Sequence, residues 1–240
     1  MGDDLLRKFG IAFLIATALS GCDQNVTATI YVRDLQDLLS QPTNGKTVPV
    51  TMELEVLAPG LRDKCDKPEI QQMVSVVASY FDSATLVGCE QVKGAMYDTL
   101  RIKSGTMMEI QATGANGFDS KQLIKFAVTR PDNGVATLFV VFNKSAYDEL
   151  NERIRAINMM AHLKTDEAHI TVVLDNDTRE PFKWASGSGN WYDGRPQAIV
   201  RQETLAPRGS TAMKLGDVNM AVLTIDQNFA LAAFPSPPTE

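Results

Sequence analysis

A short apolar run near the N terminus decides which part of this chain can fold into a domain. Arg7 and Lys8 precede the mostly apolar residues 9–19, and the run ends in Ser20, Gly21 and Cys22. A helix over residues 9–19 would rise about 16 Å, whereas a bilayer core needs about 30 Å. The pattern therefore predicts a cleaved secretory signal peptide over residues 1–21 rather than a transmembrane helix.

The end of this segment, Leu19-Ser20-Gly21-Cys22, resembles the lipobox of bacterial lipoproteins. In that class a peptidase cuts before the cysteine, which carries a thioether-linked diacylglycerol and usually an amide-linked acyl chain such as palmitate. The resemblance implies lipidation of Cys22. Asp23 resembles the signal that retains lipoproteins in the inner membrane, so the implied location is the periplasmic face of that membrane. The alternative is an ordinary signal peptide with a chance cysteine.

Composition limits the partners of the exported part. The chain has a formal net charge of −6, a pI of about 5.0 and no basic tract, which argues against a nucleic-acid partner. Its hydrophobic fraction of 44% is sufficient for a packed core. Attachment to a membrane is therefore expected to come from the lipid.

Two cysteines, Cys65 and Cys89, remain when Cys22 is assigned to lipidation. An even pair in an oxidising compartment predicts a disulfide. A helix over 68–80 would rise about 20 Å and a strand over 84–89 would return about 17 Å, which brings Cys89 back towards Cys65. Two free buried thiols are the alternative.

Hydrophobic periodicity predicts alternating strands and helices. Strands are expected over 26–33, 47–57, 84–92, 96–102, 107–112, 123–129, 135–142 and 169–174, with later candidates at 198–203 and 218–225. A short helix is expected over 33–40. Asp66 and Pro68 mark the start of a second helix, and Ser145 that of a third.

The order strand–helix–strand–strand recurs near 47–103 and 134–186. It predicts an α+β fold of two such units with mostly antiparallel sheets, over residues 22–115 and 116–234. Residue identity does not establish a true duplication. The proline-rich residues 235–240 are expected to form a disordered tail.

No residue pattern points to catalysis. His162 and His169 are the two histidines, and a metal site would need more ligands at closer spacing. The sequence contains no Gly-x-Ser-x-Gly nucleophile elbow, and carboxylate pairs such as Asp175 and Asp177 fit a charged loop. We therefore predict no catalytic residue, no metal and no cofactor.

The aromatic, glycine-rich segment 184–195 is the best candidate binding loop. Trp184, Trp191, Tyr192 and Arg195 are of the residue types that dominate binding hot spots. The alternative is a hairpin whose tryptophans pack on the sheet. Because few residues separate Cys22 from the first strand, recognition is expected near the membrane surface.

A second resemblance covers roughly the first 100 residues of the chain. The lipobox, the segment Tyr31-Val-Arg-Asp-Leu35, Lys64-Cys65 and Gly88-Cys89-Glu90 are similar to uncharacterised lipoproteins of phages and prophages of Gram-negative bacteria. That family implies no reaction but favours alteration of the host envelope, such as exclusion of other phages. We predict a lipid-anchored protein that binds an envelope partner; the alternatives are a structural accessory of an envelope complex or an envelope hydrolase.

Overall fold

The strands of the described residues join into one sheet, so the fold is mostly β. The computed structural model describes residues 24–40, 47–61, 64–91, 98–111, 121–129, 134–163 and 168–235. Within these residues 51% lie in strands and 24% in four short helices, and the sheet curls into a half-barrel. The predicted α+β fold of two units is therefore wrong.

The strands are β1 Gln24–Tyr31, β2 Thr47–Leu57, β3 Ser83–Gln91, β4 Asp98–Gln111, β5 Ile124–Thr129, β6 Val135–Phe142, β7 Ala168–Asp175, β8 Phe182–Ser186, β9 Asn190–Tyr192, β10 Arg195–Gln197, β11 Arg201–Leu205, β12 Ser210–Leu215 and β13 Asn228–Pro235. The helices are α1 Val32–Leu39, α2 Pro68–Ala78, α3 Lys144–Ile157 and α4 Asp217–Asp226. The main path of the sheet is β10-β9-β12-β7-β1-β2-β4-β5-β6-β13-β8-β11, and β3 pairs with β4 beside that path.

Strands of the two predicted units are interleaved in this sheet. β1 lies between β2, which it pairs antiparallel, and β7, which it pairs parallel from Gln24 opposite Ala168 to Tyr31 opposite Asp175. β4 and β5 also pair in parallel, with Met108 opposite Phe126. Hydrophobic periodicity predicted the positions of most of these strands. It did not predict which strands pair, because the pairing joins segments that are far apart in the chain.

The long strand β4 organises the centre of the sheet. One of its edges pairs with β2 from Thr99 to Glu109. Its other edge pairs first with β3, up to Gly105, and then with β5 from Met108 onward. Alternate residues of β2 and β4 are buried, which is the period of two that a sheet with one covered face requires. The two strands predicted over 96–102 and 107–112 are thus one continuous strand.

Two helices begin close to their predicted starts, with different capping residues. Lys67 occupies the N-cap of α2, one residue after the predicted Asp66, and Pro68 opens the helix, where its missing N–H costs nothing. Asn143 caps α3, and its side-chain oxygen accepts a hydrogen bond from the Ala146 N–H at 3.0 Å. Ser145 therefore lies inside the first turn of α3.

Residues 218–225 form the helix α4, so the strand predicted there is wrong. Met220 and Leu223 are its buried residues, and their spacing of three matches a helix and not a strand. Gln227 ends the helix in the left-handed region at φ 60°, with its N–H donated to the Leu223 carbonyl. The run is rich in valine and isoleucine, so its strand propensity was overridden by packing.

Candidate functional site

The two ends of the curled sheet meet at a seam between β8–β11 on one side and β9–β10 on the other. The Trp184 ring of β8 packs on the Tyr192 ring of β9, with centroids 5.6 Å apart. The Tyr192 hydroxyl donates to the Gly187 carbonyl at 3.1 Å, and the Gln197 amide hydrogen-bonds to the Ser186 hydroxyl. Aromatic and polar contacts therefore join the two ends of the strand path.

A pocket of about 620 Å³ opens at this seam, and we call it the seam pocket. Its lining comes from both sides of the seam and from the start of β12. The residues are Trp184, Arg201, Glu203, Thr204 and Leu205 of β8–β11, Tyr192, Asp193, Arg195, Pro196 and Gln197 of the β9–β10 hairpin, and Ser210 and Thr211 of β12.

The tight turn of the β9–β10 hairpin fixes one wall of the seam pocket. Asp193 and Gly194 both have positive φ, 48° and 76°, as the two central residues of a type I′ hairpin turn require. The Asp193 carboxylate accepts hydrogen bonds from the Ala212 N–H at 2.8 Å and the Thr211 hydroxyl at 3.1 Å. The hairpin is thus held against β12, and this carboxylate is already engaged.

Two arginines give the seam pocket its cationic hydrogen-bond donors. Arg195 and Arg201 are exposed, and among the described residues neither guanidinium forms an ion pair. Burial raises the pKa of the Tyr192 hydroxyl above its ordinary value of 10.0. Glu203 contributes a carboxylate to the same lining. The pocket therefore combines cationic groups with aromatic side chains.

The structure brings three of the four predicted binding residues together. Trp184, Tyr192 and Arg195 line the seam pocket, whereas Trp191 lies on the opposite face of β9 and is 43% exposed. Trp184 is only 5% exposed, so it also packs against the sheet as the alternative interpretation expected. Arg201 and Glu203 were missed. The sequence signal that could have identified them is their spacing of two, because residues two apart on a strand lie on the same face of the sheet.

The predicted cysteine pair lies at disulfide-bonding distance. The sulfur atoms of Cys65 and Cys89 are 2.10 Å apart and their Cα atoms 5.6 Å apart. Cys65 precedes α2, and Cys89 lies on β3, opposite Leu100 of β4. The bond therefore connects the segment before α2 to the strand that follows it.

The two histidines lie apart from the seam pocket. His162 forms an isolated bridge to Leu57, and its Nδ1 lies 3.0 Å from the Met160 carbonyl oxygen. His169 lies on β7 opposite Asn25 of β1. Within the part of the chain that the structure describes, no group of three or more His, Cys, Asp or Glu residues is arranged to hold a metal ion.

Several predictions concern residues outside the described ranges. The signal peptide, Cys22, Asp23 and residues 236–240 all lie there, while Pro235 is the last residue of β13. Among the helices that are described, none is long and apolar enough to cross a membrane.

Comparison with known families identifies a match over most of the chain. Residues 24–237 match a family described as a domain of unknown function, DUF7424. The chain belongs to this family. The DUF7424 match spans β1 to β13, including the seam pocket. No curated protein and no solved structure matches the chain.

Proposed function

We propose that this DUF7424 protein is a lipoprotein held on the periplasmic face of the inner membrane and that it binds a ligand in the seam pocket. The lipobox Leu19-Ser20-Gly21-Cys22 and the following Asp23 support the anchor. β1 begins at Gln24, so the folded domain follows Cys22 directly. The proposed activity is binding without catalysis.

The observation that carries the binding proposal is the pair of arginines in the seam pocket. A guanidinium presents a planar fork of donors that matches a carboxylate or phosphate group. Trp184 and Tyr192 add aromatic surface beside it. The chemistry fits a ligand with an anionic group next to an apolar or ring-shaped part, carried by an envelope component or a protein partner.

A phage or prophage origin would suggest a biological role for this binding. The resemblance of the first part of the chain to phage-encoded lipoproteins favours alteration of the host envelope, for example to exclude other phages. The second candidate is a structural accessory of an envelope complex. The exposed apolar side chains of α4, Val218 and Ile225 among them, favour that candidate.

The anchor is tested by replacing Cys22 with Ala in the full chain. We expect the protein to lose incorporation of a labelled fatty acid and to leave the membrane fraction. The matched control is the Cys65→Ala/Cys89→Ala variant, which should keep both the label and the attachment. Unchanged labelling and attachment of Cys22→Ala would refute the lipoprotein proposal.

The pocket is tested by thermal unfolding with inorganic phosphate and glucuronate as anionic probes and glucose as the neutral control. A ligand that binds the folded state stabilises it by about 2.7 kcal/mol at 100 times its Kd. We expect stabilisation by an anionic probe that is lost in Arg195→Ala/Arg201→Ala. Arg155→Ala/Arg179→Ala, which removes two exposed charges elsewhere, should retain it. Equal stabilisation of both variants would contradict the assignment.

A further inference from the structure

One side of helix α4 is apolar and exposed. Val218, Val222 and Ile225 are 76%, 36% and 78% exposed, and their spacing of four and three places them on one side of the helix. Met220 and Leu223 lie on the other side, in the core. The helix is therefore apolar on two sides, and one of these faces outward.

α4 begins at the end of the sheet at which the described chain starts, which we call the Gln24 end. Lys214 of β12 pairs with Thr171 of β7, and Thr171 pairs with Thr27 of β1. β12 runs antiparallel to β7 and therefore also to β1. Gly216, two residues after Lys214, is therefore level with Asn25, two residues before Thr27. Two strand spacings separate β12 from β1, about 10 Å.

The helix then stays at this end of the sheet. Met220 and Thr224, one helical turn apart, line the same small apolar cavity as Val26, Leu54 and Ile170. Val26 pairs with both Leu54 and Ile170, so these three residues lie side by side across the sheet, two positions along β1 from Gln24. The inner side of α4 therefore covers the core at this level, and its outer side faces away from the core.

A second exposed apolar group lies at the same end. Met159 and Met160, in the turn after α3, are 87% and 61% exposed. His162, two residues later, bridges to Leu57, the last residue of β2. β2 runs antiparallel to β1 with Leu54 opposite Val26, so Leu57 lies three positions further towards the Gln24 end than Leu54.

We propose that the outward side of α4, together with Met159 and Met160, rests on the bilayer surface. The inference depends on the proposed anchor at Cys22, which precedes Gln24 by two residues and therefore lies within about 7 Å of the start of β1. A lipid on Cys22 would hold the Gln24 end of the domain against the membrane. These apolar side chains would then contact lipid instead of water.

The chemistry of α4 makes this contact apolar and not electrostatic. The helix contains no lysine or arginine, and its acidic residues, Asp217 and Asp226, stand at its two ends. Attraction of basic side chains to anionic lipid is therefore not involved. Lipid contact should be equal in vesicles with and without anionic phosphatidylglycerol and should not weaken when the salt concentration rises.

This orientation places one side of the seam pocket farther from the membrane than the other. Ser210, which lines the pocket, pairs with Asp175, and Asp175 pairs with Tyr31 at the far end of β1. Tyr31 is seven positions from Gln24, which corresponds to about 23 Å along the strand. Gln197, on the near side of the pocket, lies level with Val26 through the pairing of β10, β9, β12 and β7. The seam pocket therefore extends along the sheet from the level of Val26 to that of Tyr31. Recognition near the membrane surface stays a prediction.

The test is photo-crosslinking of the full chain in bacterial membranes and in reconstituted phosphatidylcholine vesicles. Benzoylphenylalanine replaces Ile225 or, as the control, Gln36, an exposed residue of α1 at the opposite end of β1. We expect at least ten times more phospholipid adduct from position 225 than from position 36, with no loss at high salt. The intact mass of the same samples reports lipidation at Cys22.

The outcomes separate this inference from the anchor on which it rests. Lipidated protein with equal adduct at both positions overturns the inference and leaves the lipoprotein proposal intact. Protein that carries no lipid at Cys22 overturns both the inference and the lipoprotein proposal. Both are also overturned by protein that retains residues 1–21 and in which that segment is crosslinked to position 225. A crosslinked dimer of this chain, or an adduct with another protein in place of lipid, shows that a protein surface covers α4 and also overturns the inference.

Discussion

The rings of Trp184 and Tyr192 meet across the seam of the curled sheet, with centroids 5.6 Å apart and planes inclined by 47°. One ring comes from β8 and the other from β9, strands that lie near opposite ends of the strand path. Trp184 is 5% exposed and Tyr192 is 9% exposed. This contact is thus a buried aromatic element of the seam and also part of the wall of the seam pocket.

Trp184→Ala should destabilise the fold strongly. Removing a buried tryptophan typically costs 3–5 kcal/mol, because the packing is lost and a cavity remains. Trp191→Ala is the matched control, since that ring is 43% exposed on the opposite face of β9. We expect its effect to stay below about 1 kcal/mol. Urea unfolding measures both free energies, and equal losses would contradict the burial of Trp184 at the seam.

Removing the disulfide should lower the free energy of unfolding by about 3 kcal/mol. The bond joins residues separated by 24 positions, and closing a loop of that length removes chain entropy mainly from the unfolded state. The Cys65→Ala/Cys89→Ala variant is compared with wild type in urea, with and without a reductant. The reductant should lower the stability of wild type only. A variant as stable as oxidised wild type would show that the bond is not formed.

Gly216→Ala should be costly because α4 begins against the turn before β9. A Cβ atom at position 216 would lie 2.3 Å from the Gly189 carbonyl oxygen, which is backbone and cannot rotate away. Overpacking of this kind costs about 1–3 kcal/mol. At Gly105 the corresponding close contact, 2.7 Å, is with the mobile Ser83 hydroxyl, so Gly105→Ala is the milder control. Thermal unfolding compares the two variants, and the opposite ranking would contradict the placement of α4.

The stability of the protein should depend on the ionisation of Asp34. Burial raises the pKa of its carboxyl above the ordinary value of 3.8, and the carboxylates of Asp177 and Asp37 raise it further. The folded state therefore holds this proton more tightly than the unfolded state, and the contribution to stability falls as the pH rises from 3.8 through the folded pKa.

Asp34→Asn cannot ionise, so its stability relative to wild type should increase across the same pH window. We expect the difference in free energy of unfolding to be most favourable to the variant at pH 7 and to shrink as the pH falls below 3.8. Urea unfolding at several pH values measures the difference. A constant difference between pH 3 and pH 7 would contradict the raised pKa.

Local patterns predicted much of the secondary structure. The alternation over 47–57 located β2 at the bounds that the structure gives, and the helix and strand between Cys65 and Cys89 correctly predicted that the two sulfur atoms would approach each other. Both features depend on segments that are close together in the chain. The seam pocket was predicted in part, because Trp184, Tyr192 and Arg195 lie within one short segment, 184–195, while Arg201 comes from the next strand.

The sequence by itself determined the positions of most strands and the cysteine pair, because each is encoded in a short window. The export signal with its lipobox cysteine, read from an equally short window, stays a prediction. The tertiary structure decided that the strands form one curled sheet, since Gln24 pairs with Ala168 and the ends of the path meet at Trp184 and Tyr192. It also decided that residues 217–226 form a helix, because burial of Met220 and Leu223 against the core outweighs the strand propensity of that segment.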